Sequence, residues 1–203
     1  SFAMSLVPDA ATLLAEQFPD LEISLYSYRS SQIAEEVVAQ RFDFGITTDP
    51  RIDPRYQSFQ YSLPGMCLIP PGHPLEAKAL INIEDFANET LICGEPNEQS
   101  RNRITQRLRK HAVSPKKIWT VSLGEMAIRL VANGAGLAVL NAVSACYAKR
   151  VGVVVRPLAF DIRYDFQIIL PLEKDLEPAI NNINAELIAL VEQKIFESLK
   201  IVG

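Results

Sequence analysis

The side chains that most often carry chemistry are sparse in this sequence and badly spaced for it. His73 and His111 stand far apart, and neither has metal-ligand spacing with a cysteine or carboxylate. His73 falls in the turn Pro71-Gly72-His73-Pro74, where a loop role is the simplest reading. Cys67, Cys93 and Cys146 form no even framework and no Cys-x-x-Cys pair, and each has apolar neighbours, as buried thiols of a reduced protein do. There is no Gly-x-Ser-x-Gly elbow, no phosphate loop and no Gly-x-Gly-x-x-Gly. Gly134-Ala135-Gly136 joins a helix to a strand, the reverse of the dinucleotide-binding order, and reads as a left-handed helix C-cap. These residues offer no catalytic constellation, no metal centre and no cofactor site, so an enzyme is not expected.

What remains is the chemistry of binding. Arg101, Arg103, Arg107, Arg109, Lys110, Lys116 and Lys117 form the most conspicuous charge feature. A nucleic-acid surface would interleave aromatics among them, and only Trp119 is near, so the cluster reads as a solvated helix face. Arg101 differs because it falls near a helix N-terminus, after Cys93-Gly94-Glu95-Pro96, and a helix start beside a guanidinium suits a carboxylate ligand. Other helix starts carry hydroxyls or glycine: Ser1 and Ser5 before the first helix, Ser30 and Ser31 before the second, Gly124-Glu125 before a later one. If these starts converge, their hydroxyls and backbone N–H groups would bind an anion without full positive charges. Taken singly, each serine also reads as an ordinary N-cap.

The elements that must position these groups alternate between helix and strand. Leu6, Ala10, Leu13, Leu14 and Phe18 line one helix face, and Leu21, Ile23 and Leu25 alternate with polar residues as in a strand. A helix carrying Ile33, Val37 and Val38, capped by Ser30 or Ser31, leads to a short strand at Phe44–Thr47. Further strands are expected at Met66–Ile69, Thr90–Cys93, Ile118–Val121, Leu137–Leu140, Val153–Val155 and Phe166–Leu170. Helices are expected over Glu98–Lys110, Glu125–Ala132 and Pro178 towards Leu199, with a helical turn at Ile83–Phe86. The uncharged run from Leu130 to Ala148 is interrupted by Asn133, Gly134, Gly136, Asn141 and Ser144, so it reads as helix end, turn and buried strand rather than a membrane span.

Composition sets limits on all of this. The 203 residues are 48% apolar and 22% charged, ample material to offset chain entropy, which excludes disorder. With 20 basic and 24 acidic side chains the net charge is −4, which opposes binding of nucleic-acid phosphates by this chain itself. Helix–strand alternation at this length predicts an α/β fold of two lobes. A cleft between two such lobes would be the default ligand site.

Five segments, in this order and spacing, resemble the effector-binding (substrate-binding) domain of LysR-type transcriptional regulators. They are Leu6-Val7-Pro8 with Phe18-Pro19-Asp20-Leu21, Val38-Ala39-Gln40-Arg41-Phe42-Asp43-Phe44-Gly45-Ile46, Ile69-Pro70-Pro71-Gly72-His73-Pro74-Leu75, Leu130 to Val139 through Asn133-Gly134-Ala135-Gly136, and Val155-Arg156-Pro157-Leu158. The resemblance covers essentially the whole chain. Asn141-Ala142-Val143-Ser144-Ala145 and Val153 to Leu158 further resemble the branch of the lysine-biosynthesis activator and the opine-responsive regulators.

The resemblance implies a periplasmic-binding-protein-like fold with two Rossmann-like lobes and an interlobe cleft. Residues 1–63 with 166–203 would form lobe I and residues 64–165 lobe II. It implies effector contacts at Ser1, Ser30, Ser31, Thr48, Asp49, Glu95, Asn97, Arg101, Gly124 and Glu125. The branch responds to amino-acid-like compounds, so Ser30 and Arg101 are expected to take a carboxylate and Glu125 or Asp49 an ammonium. The implied protein is a cytoplasmic transcription regulator with no cofactor and no membrane contact. It would act as a homodimer or homotetramer through the first helix around Leu13 and Leu14 and a surface of lobe II. The family's winged helix-turn-helix, its linker helix and the first strand of lobe I would lie outside this chain, which opens at Ser1-Phe2-Ala3. DNA would be reached only through that outside module. The rival reading is a solute-binding protein of a transport system, which shares the cleft architecture.

Overall fold

The computed structural model describes residues 6–96, 98–172 and 177–202, apart from the side chain of Gln99. In chain order its elements are α1 (Val7–Gln17), α2 (Ser30–Val38), β1 (Gly45–Thr47), β2 (Tyr56–Ile69), two 3-10 turns (Pro74–Ala77 and Ile83–Phe86) and β3 (Thr90–Cys93). Then come α3 (Gln99–Lys110), β4 (Lys117–Thr120), α4 (Gly124–Ala132), β5 (Leu137–Asn141), α5 (Ala142–Arg150), β6 (Val154–Pro157), β7 (Arg163–Pro171) and α6 (Pro178–Val202). The chain divides into two units, one holding Leu63–Tyr164 with Glu197 onward, the other the chain up to Ser62 with Asp165–Phe196.

In the unit built on Leu63–Tyr164, β3 pairs in parallel with β4 and β5, while β2 pairs antiparallel with β5 and β6. Helices α3 and α4 supply the long crossovers that parallel neighbours require. Both faces of β3, β5 and the Met66–Ile69 end of β2 are covered, while β4 is exposed. Met66, Leu68, Ile92, Ala138 and Val155 pack with Ala127, Ile128 and Val131 of α4 and Ala142, Ala145 and Ala148 of α5. The alternate residues Cys67, Ile69, Leu91, Leu137 and Val139 pack with Ile104 and Leu108 of α3 and with Phe86. Burial on both faces is why β3, β5 and Met66–Ile69 read as unbroken apolar runs rather than alternating ones.

Helix α5 corrects the expectation of a turn and buried strand through Ala148. Strand β5 ends at Asn141, whose side chain accepts the Ser144 N–H at 3.0 Å and caps α5. Ala142 through Cys146 and Ala148 are all buried, so the helix has no polar stripe by which its period could be read. No helix among the described residues is long and apolar enough to cross a membrane.

Gly134 ends α4 as expected. At φ 80° it donates its N–H to Val131 O at 2.9 Å while Ala135 donates to Leu130 O at 3.0 Å, a Schellman closure. Helix α3 closes in the same way at Ala112, with φ 54°, Ala112 N on Arg109 O at 3.1 Å and Val113 N on Leu108 O at 2.9 Å. An alanine in this left-handed conformation costs roughly 1–2 kcal/mol that glycine avoids, less glycine's added chain entropy. Ala112→Gly is therefore expected to stabilise the chain by about 0.5–1 kcal/mol, read as a rise of roughly 1–4 °C in Tm by circular dichroism.

In the other unit β1 pairs antiparallel with β7, setting Gly45 opposite Ile169, Ile46 opposite Ile168 and Thr47 opposite Gln167. Helix α2 lies so close to β1 that a Cβ on Gly45 would stand 2.7 Å from Ile33 Cγ2. Val37, Tyr56 and Ile169 form the small core there. Helix α1 buries Ala10, Ala11 and Leu14, and its N-cap Leu6 is buried too. Leu14, expected at a dimer surface, is buried within the chain; Leu13 beside it is half-buried.

The strand expected over Leu21–Leu25 is not formed. The segment carries no strand assignment, and Ile23 and Leu25 stand 38% and 52% exposed. Alternating residues supply a face, but a strand also needs a hydrogen-bonded neighbour, and none of the ladders among the described residues includes this segment. Tyr26 and Tyr28 instead stack on Phe42, with ring centroids 5.6 and 5.9 Å away. The last helix also departs from a simple division of the chain. From Glu197 it belongs with Leu63–Tyr164, since Val202 and Leu199 pack in the α4–α5 core and Lys149 Nζ donates to Ile201 O at 2.8 Å.

Candidate functional site

Polar groups gather at the start of α2. Its N-cap is Arg29, not Ser30 or Ser31, and no side chain caps it. Ser30 is the first helical residue, and its hydroxyl is engaged elsewhere in the chain. Ser30 Oγ accepts the Thr48 N–H at 3.1 Å and lies 3.1 Å from Thr48 Oγ1. Gln32 and Ile33 both donate their N–H to Arg29 O, at 2.9 and 3.0 Å, leaving the amides of Ser30 and Ser31 as the outermost of the turn. Thr48 and Ser31 are exposed and Ser30 is half-buried, so two joined hydroxyls and a helix start face outward together.

Asp49 follows directly. Arg51 Nε reaches both of its carboxylate oxygens at 2.9 Å, Arg51 N donates to Oδ1 at 3.1 Å, and Asp49 N donates to Thr47 Oγ1 at 3.1 Å. The Arg51 guanidinium holds the Asp49 carboxyl below the usual carboxylate range, against a smaller opposing effect of burial. A carboxylate with a depressed folded pKa stabilises fully above its unfolded pKa and loses that contribution as the pH falls through the folded one. Below about pH 4 the wild-type Tm should therefore fall more steeply than that of Asp49→Asn, and the two slopes should match between about pH 6 and 8.

A second group lies in the other unit, at the C-terminal ends of β3 and β4. Arg101 Nη1 donates to Gly94 O and Thr120 Oγ1, both at 3.0 Å, so its position is fixed from two strands. Glu98 is the N-cap of α3, and its carboxylate lies over Gly94, where an added Cβ would come 2.0 Å from Oε2. Glu95, half-buried, accepts the Glu98 N–H at 3.0 Å. Burial pushes the Cys93 thiol up, while Arg101 acts to lower it. Gly124 opens α4 after its N-cap Leu123, and Glu125 stands half-buried in the first turn, where the helix dipole favours a carboxylate. Ser1 and Asn97 lie outside the described residues. The structure thus joins Ser30 with Thr48, next to Asp49, in one unit, and sets Arg101 near Glu95 in the other.

Two partners escaped the sequence reading. Thr120 was legible in principle, since ligand-facing groups of an open α/β sheet collect at the carboxyl ends of its strands. Gln167 also left a trace, as the one amide in the apolar run Phe166 to Leu170. The other conspicuous groups are structural or solvated. His73 Nδ1 accepts the Leu75 N–H at 3.2 Å and its Nε2 is 3.4 Å from Glu89. Arg109, Lys110, Lys116 and Lys117 are exposed, while Arg103 donates to the carbonyl of Arg163. Arg156 of the Arg-Pro-Leu segment holds the carbonyls of Glu76 and Lys78, both at 2.8 Å.

The family model of the LysR substrate binding domain matches residues 1–190. The chain belongs to that family. As a LysR substrate-binding domain it is 25% identical over 187 residues to the transcriptional activator protein LysR of Escherichia coli K12, covering 92% of this chain and 60% of that protein. It is 27% identical over 198 residues to the regulatory protein NocR of Agrobacterium tumefaciens T37, covering 93% and 63%. The chain therefore spans about three-fifths of these relatives' length. The solved BenM effector binding domain with its effector benzoate aligns with a TM-score of 0.71 at 20% identity, covering 100% of this chain and 90% of that one. That likeness gives the fold, the periplasmic-binding-protein-like arrangement of two α/β lobes.

Proposed function

We propose that this LysR substrate-binding domain senses a small carboxylate-bearing, amino-acid-like effector on behalf of a cytoplasmic transcription regulator. The observation that carries the reading is the Ser30–Thr48 hydroxyl pair at the start of α2. One hydroxyl of the pair donates to the other, and the remaining hydroxyl hydrogen with the outer amides of a helix turn supplies donors to an anion at no cost of a buried charge. In the other unit Arg101, fixed by Gly94 and Thr120, presents a guanidinium suited to a carboxylate. An ammonium is offered to Glu125, or to Asp49 in exchange for Arg51. That the BenM domain was solved with benzoate, itself a carboxylate, supports a carboxylate ligand here.

The effector acts by differential affinity for two conformations of the domain, and a tenfold difference, about 1.4 kcal/mol, tilts a balanced equilibrium. DNA contact belongs to a segment outside this chain, in keeping with its net charge of −4. Self-association as a dimer or tetramer completes the regulator. Family membership favours this reading over a transporter's solute-binding protein. Calorimetric titration with diaminopimelate, lysine, arginine and octopine tests it: saturable binding of at least one is expected. Tight binding of neutral aromatics such as benzamide alone would overturn it.

A further inference from the structure

Gln167 stands in the middle of β7, opposite Thr47 of β1, and is 2% exposed. Its Nε2 donates to two backbone carbonyls of the segment that follows Thr48, Asp49 O at 2.7 Å and Arg51 O at 3.0 Å. Both amide hydrogens are thereby used, and the orientation is settled, because the reversed amide would set its oxygen against two carbonyl oxygens. In this orientation Gln167 Oε1 is buried with no hydrogen-bond donor among the described residues. A buried acceptor left without a donor is costly, so an apolar side chain of the same length would suit the interior better unless the two donated bonds matter. Those bonds converge with two others. Tyr56 donates its hydroxyl to the same Arg51 O at 3.1 Å, and Thr47 Oγ1 holds the Asp49 N–H. Burial, then the charges of Asp53 and Asp49, pushes the Tyr56 hydroxyl up, which keeps it protonated as a donor.

We infer that Gln167 is a positioning residue for effector recognition: it fixes the backbone from Asp49 to Arg51 and so sets where the Thr48 hydroxyl and the Asp49 carboxylate stand. The inference rests on the reading that the Ser30–Thr48 pair binds the effector's carboxylate. Strand β7 begins in the unit of Tyr164 and continues in the unit of Asp165, so the segment is anchored to a strand that both units share.

The test uses Gln167→Met, which keeps the length and removes the donors, and Gln167→Asn, which keeps an amide too short to reach both carbonyls. Two readouts are taken on each: amide resonances of Thr48, Asp49 and Arg51 in the ligand-free chain, and the Kd for lysine, arginine and octopine. The expected result is displaced resonances at those three residues, with those of β3 and α4 unmoved, together with a rise in Kd of about tenfold or more. Gln167→Asn covers the case in which the methionine variant does not fold. Unmoved resonances at Thr48 to Arg51, or an unchanged Kd where the wild type binds, overturn the inference. A wild type that binds none of the probes overturns the underlying reading and, with it, the assigned role, while displaced resonances would still show Gln167 holding the segment.

Discussion

Replacing Ser30 with Ala is expected to weaken binding of the carboxylate effector by roughly ten- to a hundredfold, because a hydrogen bond to a charged group contributes about 1.5–3 kcal/mol. The loss has two parts. The hydroxyl itself disappears as a donor, and Thr48 is released from Ser30, its N–H and Oγ1 both losing a partner at 3.1 Å. Thr48 is exposed, so water replaces the lost protein bond and the fold is little affected. Titration calorimetry should show the change in Kd, with Tm within about 2 °C of wild type. A Tm drop accompanied by unaltered affinity would assign the Ser30–Thr48 pair to local structure alone.

The second large effect concerns the fold. Gly136 sits at φ 152°, and a Cβ there would come 2.3 Å from Thr90 O and 2.8 Å from Thr90 Cβ. The nearest obstacle is backbone, at the point where β3 and β5 run in parallel, so it cannot swing away as a flexible side chain would. Strain in a backbone region reserved for glycine costs about 1–3 kcal/mol, and overpacking a similar amount. Gly136→Ala should therefore lose about 2–6 kcal/mol and lower Tm by roughly 5–20 °C. Denaturant unfolding measured beside Gly134→Ala separates the two glycines, since nothing stands within 4 Å of a Cβ at Gly134 and only its left-handed φ is penalised there.

These two glycines also show how far the sequence could be read. Gly134-Ala135-Gly136 between a helix and a strand was legible as a helix ending, and Gly134 closes α4 as one. That Gly136 answers instead to the Thr90 carbonyl depends on a strand 46 positions earlier, beyond any local pattern. Strands buried on both faces, such as Thr90–Cys93 and Leu137–Asn141, were legible because length and apolar runs sufficed. Leu21–Leu25 misled because alternation reports a face and says nothing of a ladder partner. Helix α5 was hidden because burial on nearly every side erased its period.

The site shows the same division. Ser30 stands at a helix start, as its place in the sequence suggests, but the bond it makes is to Thr48 just past β1, whereas a local reading assigns it to capping its own helix. Arg101 was separable from the other basic residues by its position near the start of α3, while its partner Thr120 required knowing that β4 lies beside β3. Gln167 could be noticed but not interpreted, because its role is defined by two carbonyls more than a hundred residues away in sequence.

The proposed recognition of a carboxylate by the hydroxyl pair at the start of α2 stands on Ser30 and Thr48. It is tested most directly by titrating the chain, under identical conditions, with the member of the amino-acid and opine panel that binds and with its carboxamide, lysine against lysinamide being the simplest pair. Removing the carboxylate charge is expected to weaken binding to the wild type by at least about tenfold, and Ser30→Ala to abolish most of this discrimination. Equal affinity for acid and amide in the wild type would contradict it.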